Sequence, residues 1–420
     1  AKLPGTLRET YEKYYDQYIY YNLMDVIRLV QLMEAKKFFT VTFIIAYKYY
    51  SCLLKDVQSP VVGWESIVYQ NTYPRNLIFE KRKFQPSGSG YPGAYVHVPS
   101  PGFYKDIVTG DVNSMYPHIH MGWFISPETH IKDDSFIISH FNNHPEVIRL
   151  LKLRNSAPNY LDNDTQATWW DENVILPLIR NEFDLSFLEN ETEICMAPSL
   201  EFFFKDEEAI MPKQFKTTYN DRKVLKAEEN KLKSMAEKEK DDQKAEDILF
   251  QSGLKKIEQI ALKIVLNAGY GAVGSPMFYF NENRISRTIT LTGRYIIQSS
   301  AIEVSNKFKD FLKDQFNYEP KVTTWIYSDT DAIDLTFEEL TNCINRNSDV
   351  PLTDNERADM LDAFWKEHVQ CWLNDHFANI AKMFNSKDVI VMKREIIALS
   401  GIWRNLQKHY ALLVIDDEGT

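Results

Sequence analysis

Three short segments hold the side chains best suited to metal and phosphate chemistry. In the first, Asp111-Val112-Asn113-Ser114-Met115-Tyr116-Pro117, an aspartate ends an apolar run that reads as a strand. An Asp held there can bind a divalent cation with little side-chain freedom to lose. The Val112 carbonyl offers another oxygen, and the turn that follows presents backbone N–H groups to an anion. In the second, Lys263, Asn267 and Tyr270 fall at i, i+4 and i+7 of a helix, so a cation, an amide and an aromatic share one face. In the third, Tyr327-Ser328-Asp329-Thr330-Asp331, two aspartates repel across a tight turn unless a cation or solvent compensates. Each segment alone has a bland reading: a turn cap, an amphipathic helix ending at a glycine, a solvated loop. The third is the hardest to dismiss, because Val322, Ile326, Ile333 and Leu335 around it are apolar strand residues.

Positioning these groups requires a strand over 106–112 that turns into a helix after Ser114. It also requires two strands within 321–337, folded at a Ser328-Asp329-Thr330 turn. Upstream, Tyr11, Tyr14, Tyr18, Met24, Ile27, Val30 and Met33 recur at helical spacing over 8–35, and a further helical stretch reaches about Tyr50. Pro86, Gly88, Gly90, Pro92, Gly93, Pro99, Pro101 and Gly102 mark 83–103 as a connector. Residues 156–185 read as loops with short elements. From Glu207 to Asn267 the pattern is helical with one polar break. It predicts a long antiparallel helix pair whose charged tip, Lys231 to Lys244, is solvated. Helices are expected over 338–384, and strands at Val389–Met392 and Tyr410–Ile415. No internal repeat occurs, and the order of elements predicts an α+β fold.

The 420 residues are 44% hydrophobic, enough for a large folded unit or two to three subdomains. No run of eighteen apolar residues predicts a membrane span. Cys52, Cys195, Cys343 and Cys371 form no C-x-x-C pair, so no zinc ribbon is expected, and scattered thiols suit a reducing cytoplasm. The net charge of −11 opposes tight binding of nucleic acid by the chain as a whole and leaves the matter to how charge is distributed.

Taken in order, the three segments resemble the polymerase motifs of family B DNA polymerases, most of all the replicative enzymes of T-even-type phages and their cyanophage relatives. Five further segments extend the likeness over nearly the whole chain. Tyr21-Asn22-Leu23-Met24-Asp25 resembles the last exonuclease motif. Tyr91-Pro92-Gly93-Ala94 resembles the linker motif that touches template. Arg222 and Lys226 match a basic pair on the first fingers helix, and Gln407-Lys408-His409-Tyr410 resembles the primer-contact segment. Asp417-Glu418-Gly419-Thr420 is similar to the segment leading toward the thumb.

The resemblance implies a palm, an antiparallel sheet with flanking helices, into which an antiparallel helix pair is inserted as fingers. It divides the chain into an exonuclease end (1–38), an N-terminal-domain-like segment and linker (39–85), palm (86–205), fingers (206–271) and palm again (272–420), with no thumb segment. It implies nucleotidyl transfer from a deoxynucleoside triphosphate to a primer 3′-hydroxyl during viral DNA replication. Two Mg²⁺ ions, replaceable by Mn²⁺, would be held by Asp111, Asp331 and the Val112 carbonyl, with Glu395 nearby and Asp329 as acidic support. Arg222, Lys226 and Lys263 would clamp the triphosphate. Lys263 would also protonate pyrophosphate, Asn267 would hold that geometry, and Ser114 and Met115 would donate backbone N–H groups. Tyr116 would exclude the ribose 2′-hydroxyl. Tyr91, Gly93, Tyr270 and Gly271 would lie against template and nascent pair, and Lys408 and Tyr410 against primer. The implied partners are primer–template DNA, a sliding clamp and other replisome proteins, in the cytoplasm of an infected bacterium, without a membrane.

The sequence departs from that pattern at Ser328, Ala332, Gln407 and His409, where the family has Gly, Ser, Lys and Arg, and by a short stretch from Leu399 to Leu406. With one exonuclease motif and no D-x-E segment before it, proofreading is not expected, and Tyr21 and Asp25 read as an exonuclease remnant. The alternative is a non-catalytic or thumb-dependent subunit of a split replicative polymerase. A protein-primed polymerase would carry distinctive insertions, and a reverse transcriptase would lack the helix pair.

Overall fold

A computed structural model describes residues 6–76, 90–97, 99–159, 161–321, 323–346 and 350–417. They divide into two compact units, one of residues 1–77 with 218–268, the other of 78–217 with 269–420. Of the predicted features, Val322, residues 418–420 and part of the Pro/Gly-rich connector, including Pro86 and Gly88, lie outside the described residues.

The second unit is built on β-strands. These are β1 (Val96–His97), β2 (Gly102–Val112), β3 (Ile194–Met196), β4 (Phe202–Phe204), β5 (Trp325–Asp329), β6 (Ala332–Thr336), β7 (Met392–Trp403) and β8 (Tyr410–Asp417). Six of them form one antiparallel sheet in the order β1-β5-β6-β2-β7-β8, while β3 and β4 pair separately. β2 is central because its run from Asp106 to Gly110 is buried on both faces. The helices Asn283–Phe316 and Asp354–Phe364 pack on this sheet. Gly110 has no substitute there: a Cβ would stand 2.6 Å from the Trp365 ring and 3.1 Å from the Met392 sulfur. Opposite it, Thr109 pairs with Ile396 and Gly110 with Arg394, so Glu395 is an extra residue bulged out of β7.

The first unit is helical. Leu7–Lys13 and Tyr15–Ala35 are separate helices broken at Tyr14, and Phe38–Ile44 continues as a π turn to Tyr50. Trp64, fully buried on the helix Pro60–Thr72, donates its indole N–H to the Val265 carbonyl at 3.0 Å. The predicted helix pair is Ile210–Lys238 and Asp242–Val273. Its antiparallel sense follows from side-chain contacts within this unit: Arg222 with Gln259, Glu228 with Lys255 and Glu229 with Ser252.

Several expectations are corrected. Residues 156–185 are mostly helical, through Asn163–Trp170, Asp171–Ile175 and Leu176–Ile179. The hairpin turn is Thr330–Asp331, one step beyond the expected Ser328-Asp329-Thr330, since Asp329 pairs directly with Ala332. β7 begins at Met392 rather than ending there and runs through Leu399 to Trp403, leaving only Arg404–His409 as loop. The helix Asn283–Phe316 is absent from the sequence reading, because its first half is buried all round and shows no amphipathic stripe. Among the described residues no helix is long and apolar enough to cross a membrane, and all four cysteines are free.

Candidate active site

The two aspartates most suited to a cation become neighbours through the β2–β6 ladder. Asp111 pairs with Ala332, and the next rung is closed by the Val112 N–H donating to the Asp331 carbonyl at 2.8 Å. Asp331 reaches this place on a two-residue turn in which Thr330 adopts φ 64°, a conformation costly for a β-branched residue. The Asp331 N–H bonds back to the Asp329 carbonyl at 2.7 Å. Asp329 is drawn to the other side of the hairpin by Lys408, whose ammonium lies 2.7 Å from it. The Lys408 backbone N–H meanwhile donates to the Tyr327 hydroxyl at 3.2 Å. Tyr410 stacks on Trp403 with ring centres 5.7 Å apart and lies 5.4 Å from Tyr327. The structure therefore brings Lys408 and Tyr410 to the strand that carries Asp329.

Tyr116 opens the short helix Met115–Gly122, entered through Ser114 at φ 50°. It lies against Tyr270, ring centres 4.4 Å apart. Burial, and next the Asp331 carboxylate, push its phenol well above the usual range. Burial likewise raises Tyr270, which hydrogen-bonds Tyr91. Gly293 gives this group its room: a Cβ there would stand 2.8 Å from Met115 and 3.4 Å from the Tyr116 ring. Tyr91, Tyr116 and Tyr270 thus form one aromatic wall beside Asp331. A Cβ at Gly93 or Gly271 would meet no protein atom within 4 Å, so packing within the protein does not account for either glycine.

Three contributors escaped the sequence reading. Arg294 donates to the Gly93 and Ala94 carbonyls at 3.4 and 3.0 Å, stacks over Tyr95 and is gripped by Asp171. With Gly293, it stands on the helix that had no visible period, so no sequence signal marked it. The third is Asp334, buried mid-strand, its carboxylate accepting from the Thr109 hydroxyl at 2.7 Å. Burial raises Asp334 to about 6, opposed by that hydrogen bond and helped by the Asp329 and Glu395 charges. Because the folded value exceeds the ordinary 3.8, Asp334 should make stability fall as pH rises from about 4 to 6, by about 2–3 kcal/mol. Chemical denaturation in chelator should show that fall, and Asp334→Asn should flatten it; an unchanged profile would refute the assignment.

The remaining predicted residues belong to the first unit. Arg222 is half-buried, and desolvation lowers its pKa; its Nε lies 3.4 Å from Gln259 Oε1. Lys226, Lys263 and Asn267 are exposed, while Leu262, Val265 and Leu266 are buried between them. Tyr21 is half-buried and Asp25 exposed, both on the helix Tyr15–Ala35.

The family model for DNA polymerase family B matches residues 46–345. The chain belongs to that family. The curated relatives agree: a DNA-directed DNA polymerase of Escherichia phage RB69 is 25% identical and one of Enterobacteria phage T4 is 23% identical, each aligned over the whole of this chain. The chain spans about half the length of these relatives, 46% of each. As a family B polymerase chain, it has a donor set that can be tested against a hard divalent cation. Two carboxylates on adjacent rungs, with no thiolate or imidazole placed beside them by the ladder, suit Mg²⁺, which takes few protein oxygens and completes its shell with water and phosphate. Among the described residues no three His, Cys, Asp or Glu side chains gather around one cation-sized space.

Proposed function

We propose that this chain carries the polymerising centre of a DNA-directed DNA polymerase acting in phage DNA replication. The observation that supports it most is the juxtaposition of Asp111 and Asp331 at one ladder end, flanked by Tyr116 and Tyr270. In this reading 86–205 and 272–420 are palm, 206–271 fingers, 1–38 an exonuclease end and 39–85 an N-terminal-domain-like segment and linker.

Asp111, Asp331 and the Val112 carbonyl would hold Mg²⁺, with Glu395 and Asp329 as nearby acidic groups. The bound ions would stabilise charge on the attacking 3′-oxygen and on the leaving pyrophosphate. Arg222 binds phosphate as a fork, and Lys226 and Lys263 as point charges. Lys263 would give a proton to pyrophosphate, and Asn267, one turn on, would orient it. The turn at Ser114 and Met115 aims backbone N–H groups at the phosphates. Template runs past Tyr91, Gly93 and Gly271, where the missing side chains leave room, and Lys408 and Tyr410 contact primer. Partners of the full-length protein would include a sliding clamp and other replisome components in the host cytoplasm.

Primer extension at low salt tests the reading. A labelled primer–template with Mg²⁺ and deoxynucleotides should gain the template-coded nucleotide, and chelator should stop it. No addition at any enzyme concentration would favour a non-catalytic subunit instead. The same assay reads the sugar gate. Tyr116→Ala removes the ring beside Asp331, so ribonucleotide incorporation should rise by about tenfold or more, as loss of one steric contact worth ~1–3 kcal/mol allows. Unchanged competition between the two sugars would refute the gate.

A further inference from the structure

A polar cleft of about 320 Å³ opens beside the Tyr91 segment, in the same unit as the sheet. Gly90, Tyr91, Asn159, Asn283, Arg284 and Arg287 contribute to its lining. Its volume is in the range of small-ligand sites. Three features point to an anion. First, Arg154, Arg284 and Arg287 converge on the fully buried carboxylate of Glu201; Asp134 pairs with Arg154, and the carboxylate of Glu282, next to Asn283, is held by Lys132 and His130. Second, Arg287 is 7% exposed with its guanidinium carbon 5.1 Å from the centre of the Trp170 ring, and it bonds Asn159 and Glu201 through its Nη atoms. Its buried Nε has no hydrogen-bond partner. A buried donor left so is costly unless a ligand meets it. Third, Asn283 and Arg284 form the first turn of the 34-residue helix Asn283–Phe316, whose N-cap, Glu282, makes no side-chain cap. That turn adds partial positive charge and backbone N–H groups.

We propose that this cleft receives a nucleotide of the single-stranded template beyond the copied base. Arg287, Arg284 and the helix start take its phosphate, and the Asn159 and Asn283 amides meet its sugar or base. Its place follows from Gly90 and Tyr91, which continue directly into the Pro92-Gly93-Ala94 template segment, so the inference rests on the polymerase reading. A lone free phosphate would use the same cations but leave most of the cleft volume unfilled.

Fluorescence anisotropy with two primer–templates tests it, one with a single-nucleotide 5′ template overhang and one with a longer overhang. Wild type should bind the longer overhang about tenfold tighter at low salt, and its salt dependence should steepen by about 0.7 for each further phosphate neutralised. Arg287→Gln should lose most of that preference while keeping single-nucleotide extension. Because Arg287 is buried, Asn283→Asp is the second variant. Asn283 is exposed, and an acidic residue in a first helical turn is tolerated or stabilising while it repels phosphate. It too should lose the preference, at unchanged Tm. A preference for the longer overhang that both variants retain, or that wild type never shows while it still extends primers, overturns the cleft assignment alone. Absence of both binding and extension in wild type overturns the polymerase reading with it. Inorganic phosphate raising the Tm of wild type but not of Arg287→Gln, without any overhang preference, would assign a free anion and reject the strand.

Discussion

Asp331→Ala should abolish metal-dependent primer extension while leaving the fold intact. Asp331 sits in a half-exposed two-residue turn, so its truncation opens no cavity in the core. What is lost is the proposed ligand position on the ladder rung next to Asp111. Charge stabilisation by a bound divalent cation is worth several kcal/mol, and ~4 kcal/mol corresponds to about a thousandfold in rate. Single-turnover nucleotide addition should therefore fall by about that factor or more. A cooperative melting transition without divalent cation should remain. Extension within tenfold of wild type would show that the Asp111–Asp331 pair is not the reaction centre.

The largest expected effect on stability lies elsewhere, at Glu201. Its carboxylate is fully buried and accepts from His130 at 3.2 Å, Arg154 at 3.2 Å, Arg284 at 2.9 and 2.5 Å and Arg287 at 3.2 Å. Burial alone would raise its pKa, but the His130 and Arg284 hydrogen bonds and the arginine charges hold it far below the usual carboxylate range. Glu201→Ala leaves buried guanidiniums without their counter-charge, and breaking such a set costs about 3–5 kcal/mol. Glu201→Gln keeps the volume and some hydrogen bonding, so any loss it shares with the alanine variant is electrostatic. Urea denaturation should rank wild type, Gln, then Ala. His130 supplies a pH signature: burial lowers its pKa, but the bonds to Glu201 and Glu282 more than offset this, leaving it raised. The stability it contributes is full below the ordinary imidazole value of 6.5 and lost as pH rises through the folded one. That slope should shrink in both variants. Equal stability of all three proteins would refute the hub.

The candidate site was legible where chemistry is written in residue types. Asp111, Asp329 and Asp331 could be picked out, and Tyr116 with them, because the three segments that hold them fall in the order of a known family's motifs, each segment alone having a bland reading; the helix pair was visible because its period and polar break are strong. The register that makes Asp111 and Asp331 neighbours could not be read, since it depends on a ladder between segments far apart in the chain. The Glu395 bulge and the extent of β7 were hidden for a related reason: Arg394 and Glu395 look like solvent-facing charges, yet Arg394 is buried and ion-paired to Asp362 and Asp416. Arg294 and Gly293 stayed invisible because a helix buried on every side has no polar face to betray it. Glu201 followed the same rule, as an acid among phenylalanines in Ser199-Leu200-Glu201-Phe202-Phe203 whose partners arrive from 71 residues upstream and 86 downstream.

The central position of β2 also sets the order in which the sheet can assemble during synthesis. Thr109 hydrogen-bonds Asp334, 225 residues later in the chain, and β7 comes later still. At roughly 5–20 residues per second on a ribosome, β2 waits about 11–45 s for its first sheet neighbour. Through that interval its Ile107-Val108-Thr109 core is an unpaired apolar edge, guarded only by Lys105, Asp106 and Asp111. The carboxylate assigned to catalysis would thus serve the nascent chain first as a charge against aggregation. Exchanging it for a neutral residue should lower soluble yield in cells by more than any change in the stability of the finished protein accounts for.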